Sequence, residues 1–532
     1  MPELLQHWLT QAAERRPDAV AIVHGAERVT YAQLEEASNR LASVLVKRGC
    51  RRHDRVALLM PKSPLAIAAM LGVLKADAIY VPLDAANPPA RLQSMLAACD
   101  TPWLLAAGGV AGALRQLVAA DLPHALSIGW LDTPGRLDPD WPTAFSLDDL
   151  DDQPGTPRDC DSRGDDPAHI LFTSGSAGVP KGVVIRHASV VRFVEWATRY
   201  FGLTADDRTS GHAPLHFDLS TFDVYGTLAA GACLHLVPPE LNVMPARLAD
   251  FIRDAALTQW FSVPAVLGYL ARFDALAAGD FPALRRVLWC GEVLPTPALM
   301  YWMRRLPHVQ FTNLYGPTEA TIASSYYTVP RCPDDPAAAI PIGRACDGET
   351  LRVLDAWRQD VAPGESGELY IGGAGLSAGY WRDPERTAEA FVAGPDGERL
   401  YQTGDLARVD GDGLVYFLGR ADSQVKSRGY RIELGEIETA LHTLEGVHEA
   451  AVVAVPTTGF EGTQLCCAYV PRAHRVVVPS AVRKALATRL PAYMLPTRWL
   501  ALAALPRTAN GKIDRRHLRD RFHADAPGSD RA

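Results

Sequence analysis

The stretch Thr173-Ser174-Gly175-Ser176-Ala177-Gly178-Val179-Pro180-Lys181-Gly182 packs hydroxyls, three glycines and one lysine into a single turn. Backbone N–H groups, side-chain donors and a positive charge gathered this closely suit an anion, above all the phosphates of a nucleotide triphosphate. The turn departs from the common P-loop, which needs Gly-Lys-Ser/Thr opening a helix, because Pro180 precedes Lys181 and Gly182 follows it. Taken alone, the stretch also reads as a Gly/Ser surface turn between two strands. Its companions decide between the two.

The elements around it are of the kind that hold such a turn in place. Ala168–Phe172 is apolar and reads as a buried strand that ends at the turn. Over residues 1–110, amphipathic helices alternate with short apolar runs: Leu34–Lys47 has helical spacing, Arg55–Met60 reads as a strand and Pro64–Lys75 as a helix. Such alternation predicts a mostly parallel sheet covered on both faces. Residues 130–167, rich in Asp, Pro and Gly, read as a surface excursion, after which the alternation resumes to residue 345.

Beyond 346 the character changes. Short strands at Leu351–Leu354, Gly367–Ile371, Leu400-Tyr401 and Leu414–Leu418, separated by Asp/Gly turns, predict an antiparallel region. After Gly419-Arg420-Ala421-Asp422 come a helix at Leu434–Leu444, strands at Ala450–Val455 and Leu465–Val470, and a helix at Ser480–Leu490, enough for a small α+β domain. The expected organisation is α/β and multidomain: an N-terminal core over 1–421, a mobile C-terminal lid over 422–522 and a disordered tail over 523–532.

Composition excludes several classes. The 532 residues are 48% hydrophobic, ample for large cores, and the formal charge of -8 with no dense Lys/Arg run argues against nucleic acid. The N-terminus lacks the basic start and unbroken apolar stretch of a secretory signal, and no segment approaches a membrane span, so a cytoplasmic protein with no membrane partner is expected. The nine cysteines are scattered, and none shows zinc-site spacing with histidine.

Further stretches accompany the phosphate turn. They are Leu74-Lys75-Ala76-Asp77 before Tyr80-Val81-Pro82-Leu83-Asp84, then His216-Phe217-Asp218-Leu219-Ser220, and Asn313-Leu314-Tyr315-Gly316-Pro317-Thr318-Glu319. Gly367–Gly373, Tyr401–Leu406, Gly419–Lys426, Arg428–Glu438 and Asn510–Asp514 complete the series. In this order, over nearly all of residues 20–515, they resemble the adenylate-forming superfamily, and specifically the amino-acid adenylation domains of nonribosomal peptide synthesis. The resemblance implies a large N-terminal domain of parallel β/α subdomains plus a distorted β-barrel, followed by a small α+β domain. It also implies a two-step reaction in which a carboxylate attacks the α-phosphorus of ATP, pyrophosphate leaves, and a thiol opens the mixed anhydride.

That chemistry needs neutralised phosphate oxygens and positioning rather than a strong base. By resemblance, Thr173, Ser174, Gly175, Ser176, Gly178 and Lys181 hold the phosphates, and Glu319 carries Mg²⁺, with Thr318 beside it. Asn313, Tyr315 and Gly316 contribute to the nucleotide site, Tyr315 offering a ring to adenine, while Asp405 grips the ribose hydroxyls with help from Arg420. Lys512 bridges the attacking carboxylate and the α-phosphate. Asp422 is the implied hinge about which the lid rotates, and Gly429 lets a pantetheine arm pass close to the backbone, the plain alternative being a turn glycine. Three departures stand out: Asp77 replaces a usual glycine, Ala177 a usual threonine and Ser427 a usual apolar residue.

Asp218 matches the carboxylate that pairs with a substrate ammonium, although a helix N-cap is the plain alternative. The remaining matched pocket positions, Leu219, Phe222, Phe261, Leu288, Cys290, Leu314, Ile322 and Ala323, are all apolar, so a polar substrate side chain would be left unpaired. A small apolar amino acid is expected, with L-proline favoured and alanine, valine, 2-aminobutyrate and cysteine open. With no carrier attachment motif after Lys512, the expected partner is a separate peptidyl carrier protein. The rival readings are an acyl- or aryl-CoA ligase and a non-catalytic adenylate-binding protein.

Overall fold

Local capping explains where the first helices begin. Thr30 accepts from the Gln33 amide and Gln33 in turn accepts from the Thr30 amide, a capping box that opens the helix Tyr31–Lys47. Ser63 caps Pro64–Lys75, which has proline in its first turn. That helix ends at Lys75, and two residues on the chain turns at Asp77, whose φ of 59° is left-handed. Glycine would adopt this conformation at no cost; here the aspartate side chain offsets the strain, accepting from Cys160 Sγ and from the amide and hydroxyl of Ser162. Burial opposes ionisation of Asp77, but these hydrogen bonds outweigh it and hold the carboxyl below its ordinary range.

The computed structural model describes residues 3–119, 126–132, 141, 143–175, 180–422, 424–457, 463–472, 478–508 and 512–524. Ser176, Ala177, Gly178, Asn510 and Gly511 therefore lie outside the described residues. The chain divides into two compact units: Met1–Ala85, Leu96–Phe172 and Gly182–Ala421 form the first, and Ala86–Met95, Thr173–Lys181 and Asp422–Ala532 the second. Two short segments from the first 421 residues, one of them the phosphate turn, thus group with the C-terminal part of the chain.

The first unit contains a nine-stranded sheet in the order Arg344–Ala345, Ser325–Thr328, Gln310–Tyr315, Arg286–Cys290, Gln259–Ser262, Arg208–Gly211, Cys233–Leu236, Val20–His24 and Glu27–Thr30. Its six inner strands are parallel and only the edges are antiparallel. An eight-stranded sheet includes Ile79–Leu83 beside Arg55–Leu59 and ends in Pro167–Thr173 and Lys181–Arg186 before the short Gly379–Tyr380. Near-continuous apolar strands are what a parallel sheet buried on both faces requires. The excursion over 130–167 supplies the strand Thr143–Ser146 and the helical turn Asp148–Asp151.

The barrel implied by resemblance is a five-stranded antiparallel sheet, and among the described residues no pairing closes it. Arg399–Val409 is long enough to pair with Ser366–Gly373 along one edge and with both Phe391–Ala393 and Val415–Arg420 along the other. Glu349–Leu354 adds the outer strand.

In the second unit, Val447–Pro456, Thr463–Pro471 and Arg498–Ala501 form a three-stranded sheet. Alternate residues serve opposite cores: Cys467 joins Leu434, Ile437, Leu441 and Leu486, whereas Cys466 joins Leu518 and Phe522. Two strand neighbours thereby face away from each other. The helix expected to reach Leu490 stops at Leu486, and His523 and Ala524, expected in a disordered tail, belong to the helix Arg515–Ala524, which anchors Phe522 in the core; the rest of that expected tail lies outside the described residues. No helix among the described residues is long and apolar enough to cross a membrane.

Candidate active site

The parallel strands bring the expected pocket residues together. Phe261 lies opposite Leu288, and Cys290 opposite Leu314, on three adjacent strands near their C-terminal ends. Leu219 and Phe222 come from the helix Leu219–Ala230, and Phe222 meets Phe261 edge-on with centroids 5.9 Å apart. Gly226, one turn on, leaves the room this ring fills: a Cβ there would lie 2.6 Å from it. Cys290 Sγ reaches the Ile322 carbonyl at 3.8 Å, and all eight apolar positions, including Ala323, belong to one buried cluster.

Asp218 begins the same helix, yet its side chain makes no cap bond. It accepts instead from Thr318 Oγ1 at 3.0 Å, so residues a hundred positions apart share one corner of the cluster. Glu319 is fully buried and accepts from the Tyr380 hydroxyl at 2.8 Å. The Tyr380 contact is invisible in the sequence, since nothing local to Gly379–Tyr380 announces a carboxylate partner.

A second corner is charged. Arg420 donates to Asp405 Oδ1 at 2.5 Å and the Tyr315 hydroxyl donates to Asp405 Oδ2, bringing together three of the residues expected at the nucleotide. Burial and the Asp405 carboxylate both push the Tyr315 phenol well above its ordinary value, so it stays a donor. Asn313 donates to the Pro341 carbonyl at 2.8 Å, and Gly316 turns so tightly that a Cβ would lie 2.5 Å from Ala323 Cα.

A further buried cluster was missed by sequence reading. Lys62 Nζ donates to the carbonyls of Gly211 and His212 at 2.5 and 2.8 Å, and Asp223 accepts from the Ala213 amide at 3.4 Å. Burial lowers the Lys62 ammonium and raises the Asp223 carboxyl, while their mutual attraction opposes both shifts. The pair steadies the strand end that leads into His216-Phe217-Asp218. A charged residue after Met60-Pro61 and another inside an apolar helix were the available signals.

In the second unit, the Ser174 hydroxyl donates to the Arg431 carbonyl at 2.8 Å, and the Gly175 amide to Glu436 Oε2 at 3.3 Å. Glu436 also forms a buried ion pair with Arg91. Lys181 opens the strand Lys181–Arg186, and Lys512 is exposed, its carbonyl accepting from the Thr508 amide at 2.7 Å. Asp422 is the first residue of this unit's C-terminal stretch and accepts from the Gln424 amide. Gly429 has a φ of 81° and, with Arg428 at 54°, forms the two-residue turn between Gln424–Ser427 and Tyr430–Glu433, which accounts for it as a turn glycine. Ser427 is buried and donates to the Thr463 carbonyl at 3.1 Å, which makes a hydroxyl acceptable where an apolar residue is usual.

A family profile described as AMP-binding enzyme matches residues 9–381, and one described as AMP-binding enzyme C-terminal domain matches 436–512. The chain belongs to the AMP-binding enzyme family. It is a ligase fold of the adenylation-domain kind found in nonribosomal peptide synthetases. It is 34% identical over 528 residues to tyrocidine synthase 3 of Brevibacillus parabrevis, covering 99% of this chain and 8% of that protein. It is 39% identical over 447 residues to pyochelin synthetase PchF of Pseudomonas aeruginosa, covering 83% of this chain and 23% of that protein. The adenylation domain thus spans a small part of these relatives. Among solved structures, the Vibrio cholerae adenylation domain AlmE in complex with glycyl-adenosine-5'-phosphate superposes with a TM-score of 0.85 at 26% identity, over 99% of this chain and 98% of that one. An artificially fused adenylation–PCP di-domain, NpsA-ThdA from Klebsiella oxytoca, gives 0.79 at 25% identity, over 93% of each chain.

The residues present fit the nucleotide the family uses. Thr173 Oγ1 is sealed from solvent without a partner among the described residues, as a hydroxyl meant for a ligand oxygen is. No group of three or more His, Cys, Asp or Glu able to hold a metal occurs among the described residues. A single carboxylate such as Glu319 suits Mg²⁺, which is commonly held by one or two carboxylates plus substrate phosphates.

Proposed function

We propose that this chain activates a small apolar amino acid, with L-proline the best match, as the aminoacyl adenylate, and passes it to the phosphopantetheine thiol of a peptidyl carrier protein. The observation that carries the reading is Asp218: a carboxylate at the edge of a wholly apolar cluster, oriented by Thr318 rather than engaged in a helix cap. A substrate ammonium compensates such a carboxylate, and apolar walls reject polar side chains by leaving them unpaired. That AlmE holds a glycyl adenylate on the same fold supports an amino acid as the acid.

In this reading Asp405, with Arg420 and Tyr315, binds the ribose of ATP; Thr173, Ser174 and Lys181 hold its phosphates; and Glu319 holds Mg²⁺, which supplies charge neutralisation on the phosphate oxygens when bound. Lys512 neutralises the acid carboxylate and the α-phosphate as the anhydride bond forms and pyrophosphate departs. Rotation about Asp422 then exchanges Lys512 for the face carrying Gly429, where the carrier's thiol enters. The adenylation–carrier proteins among the structural relatives support a carrier protein as acceptor.

The test is pyrophosphate exchange on purified protein with each proteinogenic amino acid, several fatty acids and several aryl acids, in ATP and Mg²⁺. A strong signal with proline or another small apolar amino acid is expected. A signal confined to fatty or aryl acids would overturn the Asp218 assignment in favour of a CoA ligase, and ligand-induced stabilisation without exchange would indicate a binding protein.

A further inference from the structure

Two consecutive β-branched residues, Thr321 and Ile322, sit in the left-handed region with φ of 55° and 69°. Such a conformation is an outlier for these side chains and costs about 1–3 kcal/mol at each residue unless its surroundings impose it. The turn matters to the proposed pocket, because it follows Glu319 and carries Ile322, whose carbonyl meets Cys290.

What imposes it is a strap over residues 373–377. Thr321 Oγ1 donates to the Gly375 carbonyl at 2.6 Å, and the Ser377 amide donates to the Glu319 carbonyl at 2.9 Å. The strap is pinned from its far side by Glu349, whose Oε1 accepts from the Gly375 amide at 2.6 Å. The three parts are in contact: a Cβ on Gly375 would lie 2.8 Å from Glu349 Oε1 and 2.9 Å from the Ala320 carbonyl oxygen. Glu349 Oε2 is sealed from solvent with no partner among the described residues, a costly placement that a purely structural acceptor does not need. Burial raises this carboxyl to about 8, so at neutral pH it is a neutral acid that glutamine mimics.

We infer that Glu349 is a positioning residue for the acid pocket, acting through Gly375 to hold Thr321-Ile322 in the strained turn that sets Ile322 and the backbone of Glu319. The inference rests on the pocket assignment above, and its test separates the two.

Hydrogen exchange on the whole chain is compared for wild type, Glu349→Gln, Glu349→Ala and Thr321→Val, which cuts the same link from the other end. The amides of residues 319–323 and 375–377 are expected to exchange about tenfold faster in Glu349→Ala and Thr321→Val, with Glu349→Gln close to wild type. In pyrophosphate exchange, KM for the acid rises about tenfold in the two disrupted variants while KM for ATP stays within about twofold. Unchanged exchange at those amides, an equal rise in both KM values, or a Glu349→Gln variant as impaired as Glu349→Ala would overturn the inference. Absence of activity with every acid would instead sink the proposed function, leaving hydrogen exchange to decide the strap alone. If Glu349→Ala does not fold, Thr321→Val and Glu349→Gln carry the same test.

Discussion

Leu314 and Tyr315 are consecutive residues of one strand, and they serve regions of opposite chemistry. Leu314 packs with Leu288, Cys290 and Phe261 in an apolar cluster; the Tyr315 ring shares that cluster, but its hydroxyl turns to the Asp405–Arg420 pair. Strand geometry sends neighbouring side chains to opposite faces, so in the proposed reading a single residue step separates discrimination by shape from binding by charge. In the proposed reading the apolar region tells substrates apart by a few methylenes, worth about 1–3 kcal/mol each, whereas the charged region reads groups every ATP shares. Selectivity should therefore be adjustable on one side without disturbing the other.

The largest effect expected comes from a residue outside both regions. Lys512→Ala should lower adenylation by about 10²–10³-fold, the scale of losing one electrostatic stabiliser of a transition state, with ATP binding and thermal stability nearly intact because the side chain is exposed. Near-normal adenylation would remove Lys512 from its role. Asp218→Ala should cost about 10²-fold in kcat/KM and blur selectivity for amino acids; an unchanged apparent affinity for the amino acid would show the ammonium held elsewhere.

Asp405→Ala tests the independence of the two regions. KM for ATP should rise about tenfold while the ranking of acids is preserved, and a reshuffled ranking would break the comparison. Phe261→Leu is the reciprocal case: the ratio of kcat/KM between proline and a larger apolar amino acid should shift by about tenfold with KM for ATP unaltered.

The smallest effect is a control away from both. Burial lowers His169, stacked on Tyr80 at 4.8 Å, to about 3 from an ordinary 6.5. The folded state then binds this proton less readily than the unfolded one, so the contribution to stability is present above pH 6.5 and lost as pH falls toward 3. Denaturant midpoints for wild type should fall relative to His169→Phe between about pH 6.5 and 4, with a constant offset above about 7; an offset independent of pH throughout would mean that the imidazole titrates normally.

Local pattern carried much of the fold. The helix Pro64–Lys75 and the strands around Ala168–Phe172 and Gly367–Ile371 are readable because periodicity and capping act over a few residues. The motif residues were readable one by one for the same reason. Their partners were not: Thr318 finds Asp218, Tyr380 finds Glu319, and Lys62 supports His212 across 61 to 150 positions of sequence. The plain alternative for Asp218, a helix N-cap, and the glycine habit at Asp77 both yielded to such distant contacts.

The class of chemistry was legible in the chain, since the kinds of donor, carboxylate and apolar residue, and their order, are properties of the polymer. How those groups meet came from folding alone: Asp405 engages Arg420 and Tyr315 together, Thr321-Ile322 adopt a strained turn, and Glu349 stands behind it. Hydrogen bonds between residues far apart in the chain depend on how strands pair and helices pack, and no local pattern encodes a contact whose two halves are chosen by the whole fold.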